Sequence, residues 1–291
     1  MGGWYRPWLG DGPVADGPQP ADRLRPMSAS SLTVVLPAFN EEARLGPALD
    51  EIFGYLRRHG EQGRDGAPAA TRLPGDTRVL VVDDGSDDGT ADLVKSRPEL
   101  QATNRAGAPF LALLTVPHGG KGAAVRAGML AADTDLLVFA DADMATPPDQ
   151  LPILTDALRD HEVALGTRIQ PDGSDMRRTQ PGFRRFLGRG FHGLASVWAV
   201  GDVQDTQCGF KGFTREAAHD LFARQRISSI VFDVELIYMA RRRGYRIAVV
   251  PIQWSDRHGS RMHPRPRLAI RVAWDLFRTP FLHRRVARRK G

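Results

Sequence analysis

The sequence predicts an α/β fold: a mostly parallel central sheet with helices on both faces. Two observations carry this. Short apolar runs alternate with longer helical stretches between residues 32 and 166, and the acidic and glycine-rich clusters sit directly after the apolar runs. In sheets of this kind the ligand lies beyond the carboxyl ends of the strands.

The elements follow in order. Residues 32–36 are apolar and β-branched and read as a buried strand. A helix is expected over 42–59, then a Gly/Pro-rich surface loop over 60–76. A strand at 78–82 runs into Asp83-Asp84-Gly85-Ser86, and a helix starts near Asp88. Strands at 110–115, 136–140 and 162–166 alternate with helices at 120–132 and 149–159. Residues 1–30 hold five Gly and five Pro and read as a disordered tail. The folded domain is therefore expected over 31–256, followed by a basic segment over 257–291.

Composition narrows the class. A chain of 291 residues that is 42% hydrophobic can fill a real core. Its single cysteine, Cys208, excludes an internal disulfide and suits a reducing, cytoplasmic compartment. No segment reads as a signal peptide, and none approaches the roughly 20 apolar residues of a spanning helix. A soluble or peripheral protein is expected. The net charge is +6, unevenly placed: residues 257–291 carry eleven Arg/Lys against one acidic residue, which leaves residues 1–256 at −4. Such a tail suits an anionic membrane surface or nucleic acid.

The motifs lie where the strands end. Pro37-Ala38-Phe39-Asn40-Glu41-Glu42 follows the first strand; Asn40 caps a helix there or helps to close the turn around a nucleotide. Four aspartates within residues 83–88 repel one another, a cost explained if some bind a ribose, a base or a metal. Gly119-Gly120-Lys121-Gly122 opens a helix and offers N–H groups and a cation to phosphate, without the spacing of a P-loop. Asp141-Ala142-Asp143 turns two carboxylates the same way if the segment is extended, a donor set for Mg²⁺ or Mn²⁺ shared with a diphosphate. Five arginines between 177 and 189 form either a solvated face or a phosphate site, and the weakly charged run 191–200 reads as a buried or membrane-facing helix. Cys208 has no base beside it and reads as packing. Residues 268–281 form an amphipathic helix flanked by arginines, with Leu268, Ile270, Val272, Trp274, Leu276, Phe277 and Phe281 opposite Arg271, Asp275 and Arg278. It either lies in a membrane interface or packs back on the domain.

In this order the motifs resemble family 2 glycosyltransferases of the GT-A fold over about residues 32–256. Asp205-Thr206-Gln207-Cys208-Gly209-Phe210-Lys211 with Phe232-Asp233-Val234-Glu235 resembles most the dolichyl-phosphate β-glucosyltransferase branch, as does the Met144-Ala145-Thr146 that follows Asp143. The resemblance implies an inverting, metal-dependent enzyme moving glucose from UDP-glucose to a polyprenyl phosphate at the cytoplasmic face of a membrane. By the same resemblance Pro37, Ala38, Asn40, Glu41, Asp83, Asp84, Gly85, Lys121, Gly122, Asp141 and Ala142 hold the nucleotide-sugar. Asp141 and Asp143 hold the metal. Arg168, Arg185, Arg189, Gln207 and Lys211 serve the acceptor, and Asp143, Asp233 and Arg168 act in catalysis. The chain departs from the eukaryotic pattern in showing no amino-terminal anchor. Alternatives are mannose transfer from GDP-mannose, a soluble acceptor, or a silent nucleotide-sugar-binding module. Nucleic acid would account for the tail but not for Asp-Ala-Asp on an acidic body.

Overall fold

The computed structural model describes residues 31–62, 73–104, 107–176, 203–255 and 266–289. The amino-terminal tail, the arginine stretch 177–189 with Arg185 and Arg189, and the run 191–200 lie outside them. Seven strands form one sheet in the order β3-β2-β1-β4-β6-β5-β7. They are β1 (Ser31–Ala38), β2 (Asp76–Asp83), β3 (Leu111–Thr115), β4 (Leu136–Ala140), β5 (Val163–Thr167), β6 (Phe210–Thr214) and β7 (Ile247–Pro251). All pairings are parallel except those of β6, which runs antiparallel to both β4 and β5.

Period-two alternation divides the core. Val35, Leu137 and Phe139 face one side of the sheet, while Val34, Leu36, Val138 and Ala140 face the other. Helices α3 (Lys121–Ala131), α5 (Arg215–Arg224) and α6 (Phe232–Arg243) cover the first side. Helices α1 (Glu42–Gln62), α2 (Thr90–Lys95) and α4 (Leu151–Ala157) cover the second. The expected helix over 149–159 is a 3₁₀ turn, Pro148–Gln150, running into the shorter α4. Strands β6 and β7 have no counterpart among the expected elements, because tight-turn residues precede the first and arginines the second.

The carboxy-terminal helix, α7 (Pro266–Leu282), is not a free tail. Leu276 joins the core, and Asp275, Thr279 and His283 are buried beside it. The sequence pattern placed Asp275 on the polar, outward face. In the structure Asp275 faces the domain, because Ser229 Oγ donates to its carboxylate at 2.6 Å and Arg278 pairs with it at 2.7 Å. Trp274, Phe277 and Phe281 are the outward groups instead. The boundary at residue 256 is therefore not a packing boundary.

Candidate active site

Because β1, β2 and β4 are parallel, the turns after Ala38, Asp83 and Ala140 reach one rim of the sheet. Antiparallel β6 begins at that same rim, with Phe210 opposite Ala140. Its direction brings residues 205–209 to the site.

The first two turns are stitched together. Asn40 takes a left-handed φ of 54° and accepts from the Asp87 N–H at 2.9 Å, while its own N–H donates to Ser86 Oγ. Glu41 N–H donates to Thr90 Oγ1, and Glu41 pairs with Arg44. Asn40 is thus a brace between two loops and not the cap of α1. Pro37 and Ala38 close the end of β1, where Asp84 N–H donates to Ala38 O.

The aspartate cluster is largely satisfied from within. Asp83 accepts from Ser86 N–H at 3.2 Å, and Asp88 from Thr90 N–H at 3.0 Å. The Asp84 carboxylate accepts from Gly119 N–H at 2.8 Å and Gly120 N–H at 2.9 Å, with His118 Nδ1 2.9 Å away. The Gly119 and Gly120 N–H groups, expected to face phosphate, donate here to Asp84, which was expected at the nucleotide. Gly85 has φ 68° and lies so close to the His118 backbone that an added Cβ would sit 2.9 Å from His118 N. Gly122 N–H donates to Ser228 O at 3.0 Å, and a Cβ there would meet Phe232 at 2.9 Å, so α3 packs closely on α6 at this point.

Asp141-Ala142-Asp143 is a turn, not an extended segment: Met144 N–H donates to Asp141 O at 3.0 Å, and Met144 has φ 49°. The outcome for the side chains is still alternation. Asp141 and Asp143 are half-buried at the rim, and Ala142 is buried between them. Burial first, and then the charge of Asp141, push the Asp143 carboxyl above the usual range, against the pull of Ala145 N–H, Arg44 and Lys121. Lys121 Nζ lies 2.5 Å from Asp141 Oδ1. Burial opposes its charge, but Asp141, Asp233 and Asp143 outweigh that and hold its pKa above the ordinary lysine value. Gly209 backs directly on the Asp141 carboxylate and leaves no room for a Cβ. Gly209 is not among the residues expected at the site; its signal in the sequence is its place in the Asp205-to-Lys211 motif.

Behind this rim lies an ion pair. Lys211 has no exposed surface; its Nζ donates to Asp233 Oδ1 at 2.7 Å and to Cys208 O at 2.5 Å, 5.5 Å from the centre of the Phe139 ring. Burial raises the Asp233 carboxyl, with Lys211 and Lys121 pulling it back and Asp141 adding to the rise. Lys211 was expected at the acceptor; in the structure its amine is buried and donates to Asp233 and Cys208 O. Arg168 is likewise engaged: its guanidinium grips Asp205 at 2.9 and 2.6 Å, its N–H donates to the same carboxylate, and Trp254 lies under it at 5.4 Å. Gln207 is half-buried in the turn between Asp205 and Gly209.

Cys208 fits the packing role. It is 1% exposed, and burial followed by the charge of Asp205 pushes its thiol up to about 12. Native protein at pH 8 is expected to resist iodoacetamide, with one alkylation appearing in urea, as intact mass will show.

A mostly parallel sheet with an inserted antiparallel strand, and a carboxylate pair beside a lysine at its carboxyl rim, is the arrangement of a sugar-nucleotide transferase of GT-A type. The profile of the family described as Glycosyl transferase family 2 matches residues 33–222, and the chain belongs to that family. Curated relatives include the dolichyl-phosphate β-glucosyltransferase of Drosophila melanogaster, 39% identical over 80% of this chain and 69% of that protein. One from Trichomonas vaginalis is 38% identical over 79% of this chain and 65% of that protein. The human one is 35% identical over 80% and 70%. The matched region thus spans about two thirds of these relatives' own length. Among solved structures, glucosyl-3-phosphoglycerate synthase from Mycobacterium tuberculosis, in complex with Mn²⁺, UDP-glucose and phosphoglyceric acid, has a TM-score of 0.59 at 20% identity, covering 91% of this chain and 83% of that one. That likeness is one of fold.

Proposed function

We propose that the protein is an inverting glucosyltransferase that moves glucose from UDP-glucose to a polyprenyl (dolichyl-type) phosphate at the cytoplasmic face of a membrane. The observation that carries the chemistry is the pairing of Asp141 and Asp143 with Lys121 at the rim, over the buried Asp233–Lys211 pair. The relatives named above support glucose and the lipid phosphate.

The two carboxylates suit a divalent cation. They are hard oxygen donors, and burial first, with the neighbouring Asp141 charge second, raises the Asp143 carboxyl. Among the described residues no group of three or more His, Cys, Asp or Glu could hold an ion by itself. Donor phosphates and water would complete the shell, as Mg²⁺ or Mn²⁺ sites commonly require. When bound, the metal offsets charge gathering on the departing diphosphate. Lys121 adds a positive charge beside Asp141, and Asp233 orients the sugar or the acceptor. A phosphate acceptor has a second pKa of about 6, so it is already a nucleophile at neutral pH and needs no obligatory base.

The membrane role rests on α7. Trp274, Phe277 and Phe281 are about half exposed, with successive ring centroids 6.0 and 5.3 Å apart. Exposed Arg284, Arg285 and Arg288 follow them. An aromatic row with arginines at one end suits an anionic lipid interface. No helix among the described residues is long and apolar enough to cross a membrane. Changing the three rings together to serine is expected to weaken binding to vesicles containing phosphatidylserine by about tenfold or more, with an unchanged circular dichroism spectrum. Unaltered flotation would remove the membrane role.

The reaction is tested with purified protein, Mg²⁺ and a short-chain polyprenyl phosphate, offering labelled UDP-glucose and GDP-mannose in parallel. Lipid label from UDP-glucose is the expected result. Label from GDP-mannose alone would move the protein to mannose transfer, and label from neither would reject the lipid acceptor.

A further inference from the structure

The acceptor phosphate needs a cation, and among the described residues the two cations expected at the acceptor, Arg168 and Lys211, are engaged elsewhere, as is Lys121 beside them. Arg168 is held by Asp205, Lys211 is buried on Asp233, and Lys121 is balanced by Asp141. A cleft of about 380 Å³ opens beside Lys121, lined also by His118, Ser228, Ser229, Ile230 and Arg271. Among the described residues none of its lining is acidic. Arg271 belongs to α7 and is exposed; among the described residues it has no ion-pair partner.

Its placement is built. Asp275, one turn after Arg271, accepts from Ser229 Oγ and pairs with Arg278, so it neutralises Arg278 and leaves Arg271 available to the cleft. The loop that carries Ser229 is fastened on both sides. Ser228 O accepts from Gly122 N–H at the start of α3. Buried Glu235 accepts from Arg226 N–H and Ile227 N–H at 2.9 Å each, and from His283 Nε2 at 2.6 Å. One clasp thus sets α7, the loop and the lysine end of α3 against each other.

We infer that Arg271 receives the phosphate monoester of the acceptor at the mouth of this cleft. The inference rests on the glucosyl-lipid reading above and names one of its binding groups. The lipid then arrives where the chemistry needs it. Arg271 shares a helix with the outward aromatic row, so a phosphate at the lipid surface meets a guanidinium before it meets the sugar. A guanidinium suits this task because its planar donors bind two phosphate oxygens at once. The same charge could instead serve the donor diphosphate, and the experiment separates the two.

Full-length protein and the Arg271→Ala and Arg271→Lys variants are compared in detergent micelles, which removes vesicle docking from the readout. Equilibrium binding of a short-chain polyprenyl phosphate and of its parent alcohol is measured without donor, and KM for UDP-glucose and for the lipid phosphate is measured in turnover. The expected result for Arg271→Ala is acceptor affinity weakened roughly 10- to 100-fold, alcohol binding unaffected, and donor KM within about twofold of wild type. Arg271→Lys should recover part of the loss. A parallel rise in donor KM would assign the cleft to the diphosphate and overturn the inference, as would unchanged acceptor binding. Wild-type protein that binds the lipid phosphate no better than the alcohol would instead reject the proposed acceptor itself, and the inference with it.

Discussion

Asp143→Ala is expected to lower transfer by about 10²–10³-fold while leaving the metal-free protein as stable as wild type or more so. The first effect follows if Asp143 holds the ion that steadies the leaving diphosphate, since removing one preorganised electrostatic partner typically costs that much. The second follows from the crowding of charge. Asp143 is half-buried beside Asp141, and burial together with that neighbour already raises its pKa. Removing one of two repelling carboxylates relieves the folded state. Thermal melts with and without Mn²⁺ should therefore diverge: wild type gains stability from the ion and the variant gains little. Transfer within about tenfold of wild type, with the same metal dependence, would take Asp143 out of the metal site.

Lys211→Met is expected to destabilise the fold by about 3–5 kcal/mol, because it leaves Asp233 buried without its partner. The pH dependence has a definite sign. Burial already raises Asp233, and loss of Lys211 removes the first of the charges that pull it back. A carboxyl whose folded pKa lies above its unfolded value, about 3.9, contributes stability that is complete below that value. It is lost as pH rises through the folded pKa. The deficit of Lys211→Met against wild type should thus narrow at acid pH and widen at neutral pH, as paired melts at pH 5 and pH 8 will show. Adding Asp233→Asn should recover part of the lost stability but no activity, because the amide needs no counter-charge yet cannot replace the carboxylate. A deficit independent of pH would mean that Lys211 acts through packing on Phe139 and not through Asp233.

Much of the site is legible in the chain because it depends on local order. A strand that ends in Asp-Ala-Asp delivers two carboxylates to the carboxyl rim whether the segment is extended or, as here, a turn. Lys121 at the start of a helix reaches the same rim. Asp233 and Glu235 do begin a helix, as their position before an apolar run suggested. Less legible was the use of each polar group. Asp83 and Asp84 look alike in sequence, yet Asp84 caps a turn 35 residues away. Glu235, two residues after Asp233, fastens a loop to His283 and has no part in the proposed chemistry.

The sequence by itself determined a mostly parallel sheet, the places of its first five strands along the chain, the acidic rim with Lys121, and a basic, aromatic carboxy-terminal helix. These depend on apolar periodicity, on turn residues next to strands, and on where charge falls along the chain. Only the tertiary structure decided that β6 runs antiparallel and so carries Asp205 and Gly209 to the rim. Only it decided that Lys211 is buried, that Arg168 is engaged by Asp205, that Asp275 faces inward, and that Arg271 opens onto a cleft. For the buried and engaged groups among these the physical reason is the same. A buried polar group must find its partner, and that partner is set by which distant segments the packed core brings within hydrogen-bond reach.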